Sequence, residues 1–419
     1  MTEPFDIAIA GAGPAGLATA IALAREGFRT ALIGPVGAAR DGRTVALLNG
    51  SVNFLKAIGA WQPVAADAAP LSVMRMVDDT GSLFRPPPVN FSAGELGLDA
   101  FGYNIENAVL VEHLAKIAAT TAGLELVPRL VAGFAADHEA AIITLDNGER
   151  LTARLAVAAD GRHSLMRQAA GIGVRKWSYP QIAVTAILAH DQAHGDASTE
   201  FHTRAGPFTL VPLPGKRSSL VWVNRPEDAR RLTALDDTAF AKAVEKQARG
   251  MLGAMRLDGP RGSVPLSGLT ARAFTATRLA LAGEAAHVFP PIGAQGLNLG
   301  LRDGAALRDA VVAARRAAQD IGSEGALNSY ARGRAFDTGV RTNAIDLLNR
   351  MLLTPWLPVD FLRGAGLLAL DLVGPLRKAV MREGLAPRFG IPELMRGETG
   401  KAAAEVLTPS PDRTQWNHA

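Results

Sequence analysis

The chain has 419 residues, 48% of them hydrophobic and 20% charged, which excludes a disordered polymer and at this length calls for two closely joined domains. It contains no cysteine, so disulfides, thiolate metal sites, iron–sulfur clusters and a cysteinyl-linked cofactor are excluded, and a reducing, cytoplasmic setting is expected. The formal charge of +4 is spread without a dense Lys/Arg block, which speaks against nucleic acid as a partner.

In chain order, Asp6-Ile7-Ala8-Ile9-Ala10 reads as a short apolar strand and Gly11-Ala12-Gly13-Pro14-Ala15-Gly16 as a turn. Residues 17–26 then form an Ala-rich helix closed by Gly27, and Thr30-Ala31-Leu32-Ile33 a second buried strand. The nearly uncharged run 6–24 is expected to be neither a leader nor a span. Glu3 and Asp6 stand where a basic flank is needed, and four Gly/Pro residues interrupt it. No other uncharged stretch reaches spanning length, so a soluble or peripheral protein is expected.

Residues 124–159 read as a β-meander, with Asp146-Asn147-Gly148 as one hairpin turn. Residues 181–225 are sheet-rich, Pro214-Gly215 turning between two strands. Residues 236–256 read as one amphipathic helix and 278–282 as a strand, which enters a Gly-rich turn and a helix from about 296. From 325 onward the pattern is helical, ending in a loose tail.

Three motifs carry chemistry. Gly11-x-Gly13-x-x-Gly16 lies between a strand and a helix. The first glycine makes the turn, the second lets backbone approach a pyrophosphate, and the third lets helix and strand pack, with the helix N-terminus facing the phosphates. The acid that usually ends the second strand and binds ribose is missing, for Gly34 stands there, followed by Pro35. The second motif, Ala159-Asp160-Gly161-Arg162-His163-Ser164-x-x-Arg167, follows the strand Leu155-Ala156-Val157-Ala158; alone it reads as an Asp-Gly turn. The third runs from Leu281 through Gly283-Glu284-Ala285-Ala286-His287 and Pro290-Pro291-Ile292-Gly293-Ala294-Gln295-Gly296-Leu297-Asn298 to Arg302-Asp303. Its strand delivers the carboxylate of Glu284. Its turn opens a helix whose first N–H groups, at Gly296, Leu297 and Asn298, suit an anionic edge such as N1–C2=O of a reduced flavin.

In this order and spacing the motifs resemble the single-component flavoprotein aromatic hydroxylases, the para-hydroxybenzoate-hydroxylase-like group, over roughly residues 5–340. Asp41-Gly42-Arg43-Thr44-Val45-Ala46-Leu47, Asn104-Ile105-x-Asn107-x-x-Leu110, Gly206-Pro207-Phe208-Thr209-Leu210-Val211-Pro212-Leu213-Pro214 with Val221-Trp222, and Asn298-Leu299-Gly300-Leu301-Arg302-Asp303 are similar to segments of the ubiquinone-biosynthesis hydroxylases within it. Glu284 departs from the group, where Asp is usual. The resemblance implies an α/β fold: a Rossmann-type FAD-binding domain (1–75, 103–180, 268–340), an interleaved β-sheet-rich substrate domain (76–102, 181–267), a helical C-terminal region (341–400) and a tail (401–419).

The resemblance also assigns residues. Gly11, Gly13, Gly16 and Arg43 contact the adenosine diphosphate half of FAD, Asp160 supports the pyrophosphate, Glu284 binds ribitol, and Gly296 to Asn298 bind the isoalloxazine edge. The implied reaction is hydroxylation of the phenolic ring of a polyprenylated ubiquinone precursor by molecular oxygen through a flavin 4a-hydroperoxide. NAD(P)H or a protein electron donor is the reductant, the former without a second GxGxxG. The cofactor carries the hard step, so no catalytic base is named. A small soluble phenol as substrate, and a non-catalytic subunit of a quinone-biosynthesis assembly, are the alternatives.

His287 stands beside Glu284, and a local structural role is at least as good a reading as catalysis. His190 and His194 have the spacing of metal ligands on a helix, but no third ligand accompanies them, so they read as surface histidines and no metal is expected. Tyr103, Phe208 and Trp222 either line an aromatic pocket or pack the core. Residues 341–382 combine an apolar Leu-rich series with Arg341, Arg350, Arg363, Arg377, Lys378 and Arg382, against Asp346, Asp360 and Asp371. Such basic amphipathic segments can lie on the inner face of the cytoplasmic membrane, or their apolar faces can cover the FAD domain or a partner subunit. A polyprenylated substrate favours the membrane.

Overall fold

The computed structural model describes residues 4–37, 40–81, 87–290, 295–353, 374–375, 377–378, 381 and 390–397. Strand β1 (Phe5–Ala10), helix α1 (Pro14–Arg25) and strand β2 (Thr30–Ile33) open the chain. Every side chain of β2 and nearly every one of β1 is buried, as parallel strands covered on both faces require. Next come β3 (Thr44–Leu48), α2 (Asn49–Ala57), α3 (Trp61–Ala65), β4 (Ala69–Pro70), β5 (Val73–Asp78) and β6 (Val89–Ser92). Strand β7 (Gly102–Glu106) passes directly into α4 (Asn107–Thr120).

The meander follows as β8 (Leu124–Val127), β9 (Val131–Ala136), β10 (Ala141–Leu145) and β11 (Arg150–Ala158), and Ser164 caps the short helix α5 (Leu165–Ala169). Strands β12 (Val174–His190), β13 (Ala197–Thr203), β14 (Gly206–Leu213) and β15 (Arg217–Asn224) are followed by helices α6 (Pro226–Ala234) and α7 (Asp237–Gln247). The last strands are β16 (Met255–Leu257), β17 (Gly262–Ala271), β18 (Thr275–Ala276), β19 (Leu279–Leu281) and β20 (His287–Val288), before helices α8 (Gln295–Arg316) and α9 (Glu324–Leu353).

These strands make three sheets. One has the order β18-β19-β11-β1-β2-β8, with β10 and β9 added beside β11, and its β19, β11, β1, β2 and β8 are mutually parallel. Its core joins Ile7, Ile9, Leu32, Leu155, Val157 and Leu281 to Leu17 and Ile21 of α1. The second has the order β20-β17-β12-β15-β14-β13-β5-β6, with β16 also on β12. The third, β3-β7-β4, bonds the second through Thr44 and Asn104 and adds Leu47 and Ile105 to the core of the first.

The helix expected over 236–256 is shorter. It ends at Gln247, because Arg249 (φ 55°) and Gly250 (φ 67°) take the left-handed conformation, and the chain returns as β16. The apolar series that suggested a longer helix is shared among α7, the turn after it and β16, where Val244, Ala248, Leu252 and Met255 are buried in one cluster. The basic apolar pattern of 341–382 lies largely outside the described residues, and the tail wholly so.

Candidate cofactor site

The three motifs, separated by more than a hundred residues each, meet at one edge of the parallel sheet. β1 pairs with β11, Ala10 opposite Ala158, and β11 pairs with β19, Ala158 opposite Leu281. The strands run the same way, so the turns that follow them emerge side by side. Backbone hydrogen bonds stitch them in series: Gly11 donates to Ile33 O (2.7 Å), Ala159 to Ala10 O (2.8 Å) and Ala282 to Ala158 O (2.9 Å). The carboxyl edge of an open parallel sheet, where helix N-termini converge, is where such folds bind ligands.

Each glycine of the first motif has a separate reason. Gly11 takes φ 109°, and a Cβ on it would meet Ala159 O at 2.1 Å. A Cβ on Gly16 would meet Gly11 O at 1.9 Å, so the helix could not sit on the turn. Gly13 is exposed, with φ −74°, and a Cβ there would meet nothing within 4 Å. Nothing in the protein demands glycine at 13, and the space in front of the α1 N-terminus is open. Gly34, with φ 148° and Ala12 N 3.0 Å from its would-be Cβ, disfavours the missing acid at that position.

In the second motif Asp160 Oδ2 accepts from Met166 N (3.3 Å), while its buried Oδ1 has no partner. An unpartnered buried carboxylate oxygen is costly, and a ligand donor would relieve it. The buried Arg167, whose task leaves no local pattern in the sequence, donates to Arg162 O (3.0 Å) and to Ala285 O (2.8 Å), tying the second motif to the third. Burial holds its pKa below the ordinary guanidinium value, and the Asp160 charge offsets this only in part.

In the third motif Glu284 is exposed on a single turn of 3-10 helix directly after β19. Asp303, fully buried, holds that turn: its Oδ2 accepts from Gly283 N (2.8 Å) and His287 Nε2 (2.7 Å), and its Oδ1 from Arg334 Nε (2.6 Å) of α9. Burial pushes the Asp303 carboxyl up, but the charges of His287 and Arg334 outweigh it and hold the group below the ordinary carboxylate value. His287 is thus a buried structural partner, packed between Phe274 and Phe289. Gly300 and Gly304 let α8 cross α1 closely, the former beside Ala15 and the latter beside Thr19.

Gly296, Leu297 and Asn298 form the first turn of α8, whose N–H groups have no acceptor within a helix. The Asn298 side chain has a separate task. It accepts from Leu48 N (2.9 Å) and Ser51 Oγ (2.7 Å) and donates to Ala46 O (2.8 Å), fixing α8 to β3 and α2. Arg43, just before β3, is exposed and pairs with Asp41 at 2.7 Å.

The two spaced histidines are a correction. His190 ends β12 and His194 lies in the turn after it, and neither is on the surface. His190 is 6% exposed and bonds Gln192 O (2.7 Å) and Ser218 Oγ (3.0 Å), while His194 bonds Leu213 O (3.0 Å). No cluster suited to a metal ion occurs among the described residues. Phe208 is core, Trp222 packs edge-on against it at 5.1 Å, and Tyr103 packs against Trp61 at 4.8 Å.

A family described as FAD binding domain matches residues 4–336. The chain belongs to this family. Among relatives of this FAD-binding chain, the ubiquinone hydroxylase UbiL of Rhodospirillum rubrum is 34% identical over 402 residues, covering 94% of this chain and 92% of its own. The 3-demethoxyubiquinol 3-hydroxylase of Escherichia coli is 31% identical over 391 residues, covering 91% and 99%. The structure of p-nitrophenol 4-monooxygenase PnpA from Pseudomonas putida DLL-E4 superposes with a TM-score of 0.77 at 18% identity, covering 93% of this chain and all of that one, and so shares the fold. The resemblance to flavoprotein aromatic hydroxylases, the mixed α/β fold and FAD as cofactor are borne out. The open space at Gly13 fits that cofactor's pyrophosphate, and the unpartnered Asp160 Oδ1 calls for a donor such as a sugar hydroxyl or a water molecule beside it.

Proposed function

We propose that this FAD-dependent aromatic hydroxylase adds oxygen to the phenolic ring of a polyprenylated quinone precursor. The observation that carries the cofactor half is the convergence of three motif turns at one sheet edge, with Gly13 open and Asp160 Oδ1 unpartnered. FAD, when bound, supplies the redox chemistry that activates oxygen. On this reading the α1 N-terminus and Gly13 receive the pyrophosphate, Asp160 supports that side, Arg43 reaches the adenosine diphosphate half and Glu284 binds ribitol. The first turn of α8 offers donors to the anionic edge of the isoalloxazine. The protein's own contribution is binding, orientation and exclusion of water.

The substrate half rests on relatives named for ubiquinone hydroxylation whose similarity spans over nine-tenths of this chain. No helix among the described residues is long and apolar enough to cross a membrane. A polyprenyl substrate therefore calls for contact with the bilayer surface, and the basic apolar pattern of 341–382 supplies a means. Other quinone-biosynthesis proteins are further partners on this reading, and NAD(P)H or a protein donor supplies electrons. The test is turnover of a prenylated phenol beside a simple phenol by the purified holoenzyme. Hydroxylation of the prenylated compound is expected; turnover of the simple phenol alone overturns the substrate assignment.

A further inference from the structure

The two faces of the nine-stranded sheet carry different residues. Val77, Phe201, Phe208, Leu210 and Leu220 point to one face, where they pack with Phe240 and Val244 of α7. Strand alternation sends their neighbours to the other face. There Met76 is opposite Glu200, Glu200 opposite Thr209, and Thr209 opposite Val221. Two residues from Val221 on the same face, Ser219 Oγ receives hydrogen bonds from Thr44 Oγ1 (2.9 Å) and Asn104 Nδ2 (3.2 Å). This face is therefore the one turned toward β3 and β7, and Asn298 at the start of α8 bonds the same strand β3 at Ala46 and Leu48.

On this face Glu200 Oε1 lies 2.8 Å from His202 Nε2, and Thr209 Oγ1 donates to Glu200 Oε2 (3.2 Å). The His202 side chain is 5% exposed and that of Glu200 27%. His202 Nδ1 is buried without a partner, and so is Oδ2 of Asp78, the register neighbour of His202. Burial pushes the Glu200 carboxyl up, but the hydrogen bond and charge of His202 and the Thr209 hydroxyl more than offset this, holding it below the ordinary value and hence ionised. Beside it, Met74 and Met76 are half-buried against Phe91 and Phe101. Partly burying a carboxylate against an imidazole in a sheet is a weak route to stability, and unpartnered polar atoms around it point to a ligand.

We propose that Glu200 accepts the hydrogen bond of the substrate's ring hydroxyl, that His202 and Thr209 position its carboxylate, and that the methionine wall beside it borders the apolar part of the same substrate. A phenol whose O–H donates to a carboxylate gains electron density at the ortho and para carbons, the positions an electrophilic oxygen attacks. Methionine is adaptable enough to follow a flexible apolar chain. The proposal rests on the reading of the protein as a phenol hydroxylase.

The experiment compares binding of a geranyl-substituted phenol and its O-methyl ether to the FAD-replete protein, followed by perturbation of the flavin absorbance. The ether keeps the shape and loses the donor. The wild type is expected to prefer the phenol by about 10- to 100-fold, the worth of a hydrogen bond to a charged acceptor. Glu200→Gln should bring the ratio within a few-fold of one. Thr209→Val, which keeps the carboxylate and removes one of its partners, should lower the ratio less and serves if Glu200→Gln fails to hold flavin. An unchanged ratio in a folded, flavin-replete variant, or a wild-type ratio near one, overturns the proposal while leaving hydroxylation intact. Binding of neither compound by the wild type overturns the substrate reading beneath it as well.

Discussion

Gly13 and Gly16 stand three residues apart in one turn, yet a side chain has different consequences at the two. Beyond Gly13 there is open space, whereas a Cβ on Gly16 falls 1.9 Å from Gly11 O. Gly13→Val should therefore leave the apoprotein folded, costing no more than about 1 kcal/mol at the helix N-cap, while abolishing FAD binding. Gly16→Ala should destabilise the apoprotein itself by about 2 kcal/mol or more through overpacking. Flavin content of the purified proteins and urea denaturation of their apo forms check both, and stoichiometric flavin in Gly13→Val would show that the turn has no ligand role. At this scale the glycines were legible because their spacing reports a backbone requirement. The tasks of Arg167, Asp303 and the Asn298 side chain were not, because their partners Ala285, Arg334 and Leu48 are set by tertiary contact and leave no local pattern.

Helix α8 is held at both ends of the cofactor edge, by Asn298 against β3 and α2 and by Asp303 against the Gly283 turn and α9. If its first turn faces the flavin, its dipole favours the anionic reduced form by up to about 2 kcal/mol. Gly296→Pro removes one donor, and the flavin potential should shift negative, while Gln295→Ala should perturb it less. A dye-equilibrated redox titration reads this, and an unchanged potential in Gly296→Pro would withdraw the role of α8. Asp303 makes a second prediction. Its folded pKa lies below the unfolded value of about 4, so its stabilisation is full above that pH and is lost as pH falls through the lower folded value. Asp303→Asn should cost about 3 kcal/mol at neutral pH, as breaking a buried ion pair does. The gap from wild type should narrow in acid, as melting curves across pH will show. Elements with a strong local period, such as β1, α1 and β2, were readable to within a few residues. The run 236–256 was not, because burial of both α7 and β16 in one cluster produces an apolar series that mimics a single helix.

At the scale of the whole molecule, distant motifs form one site because parallel strands deliver their C-terminal turns to the same edge. That convergence was legible as motif order, while the polar face of the nine-stranded sheet needed the strand register. The membrane reading makes its own prediction. The protein should float with anionic liposomes, less so in high salt and after replacement of Arg350 and Arg363. Arg377 is a poorer choice, because it pairs with Glu95 at 2.8 Å. Equal recovery in the soluble fraction under all conditions would assign the apolar series to packing. The central claim, oxygen insertion into a phenolic ring by a flavoprotein, is tested most directly without reference to the electron donor. The purified protein is photoreduced anaerobically and mixed with a geranyl-substituted phenol and heavy-isotope-labelled dioxygen, and the product is weighed by mass spectrometry. A hydroxylated ring carrying one labelled oxygen atom is expected; reoxidation of the flavin with the phenol recovered unchanged, or a product whose new oxygen comes from water, would contradict hydroxylation by this flavoprotein.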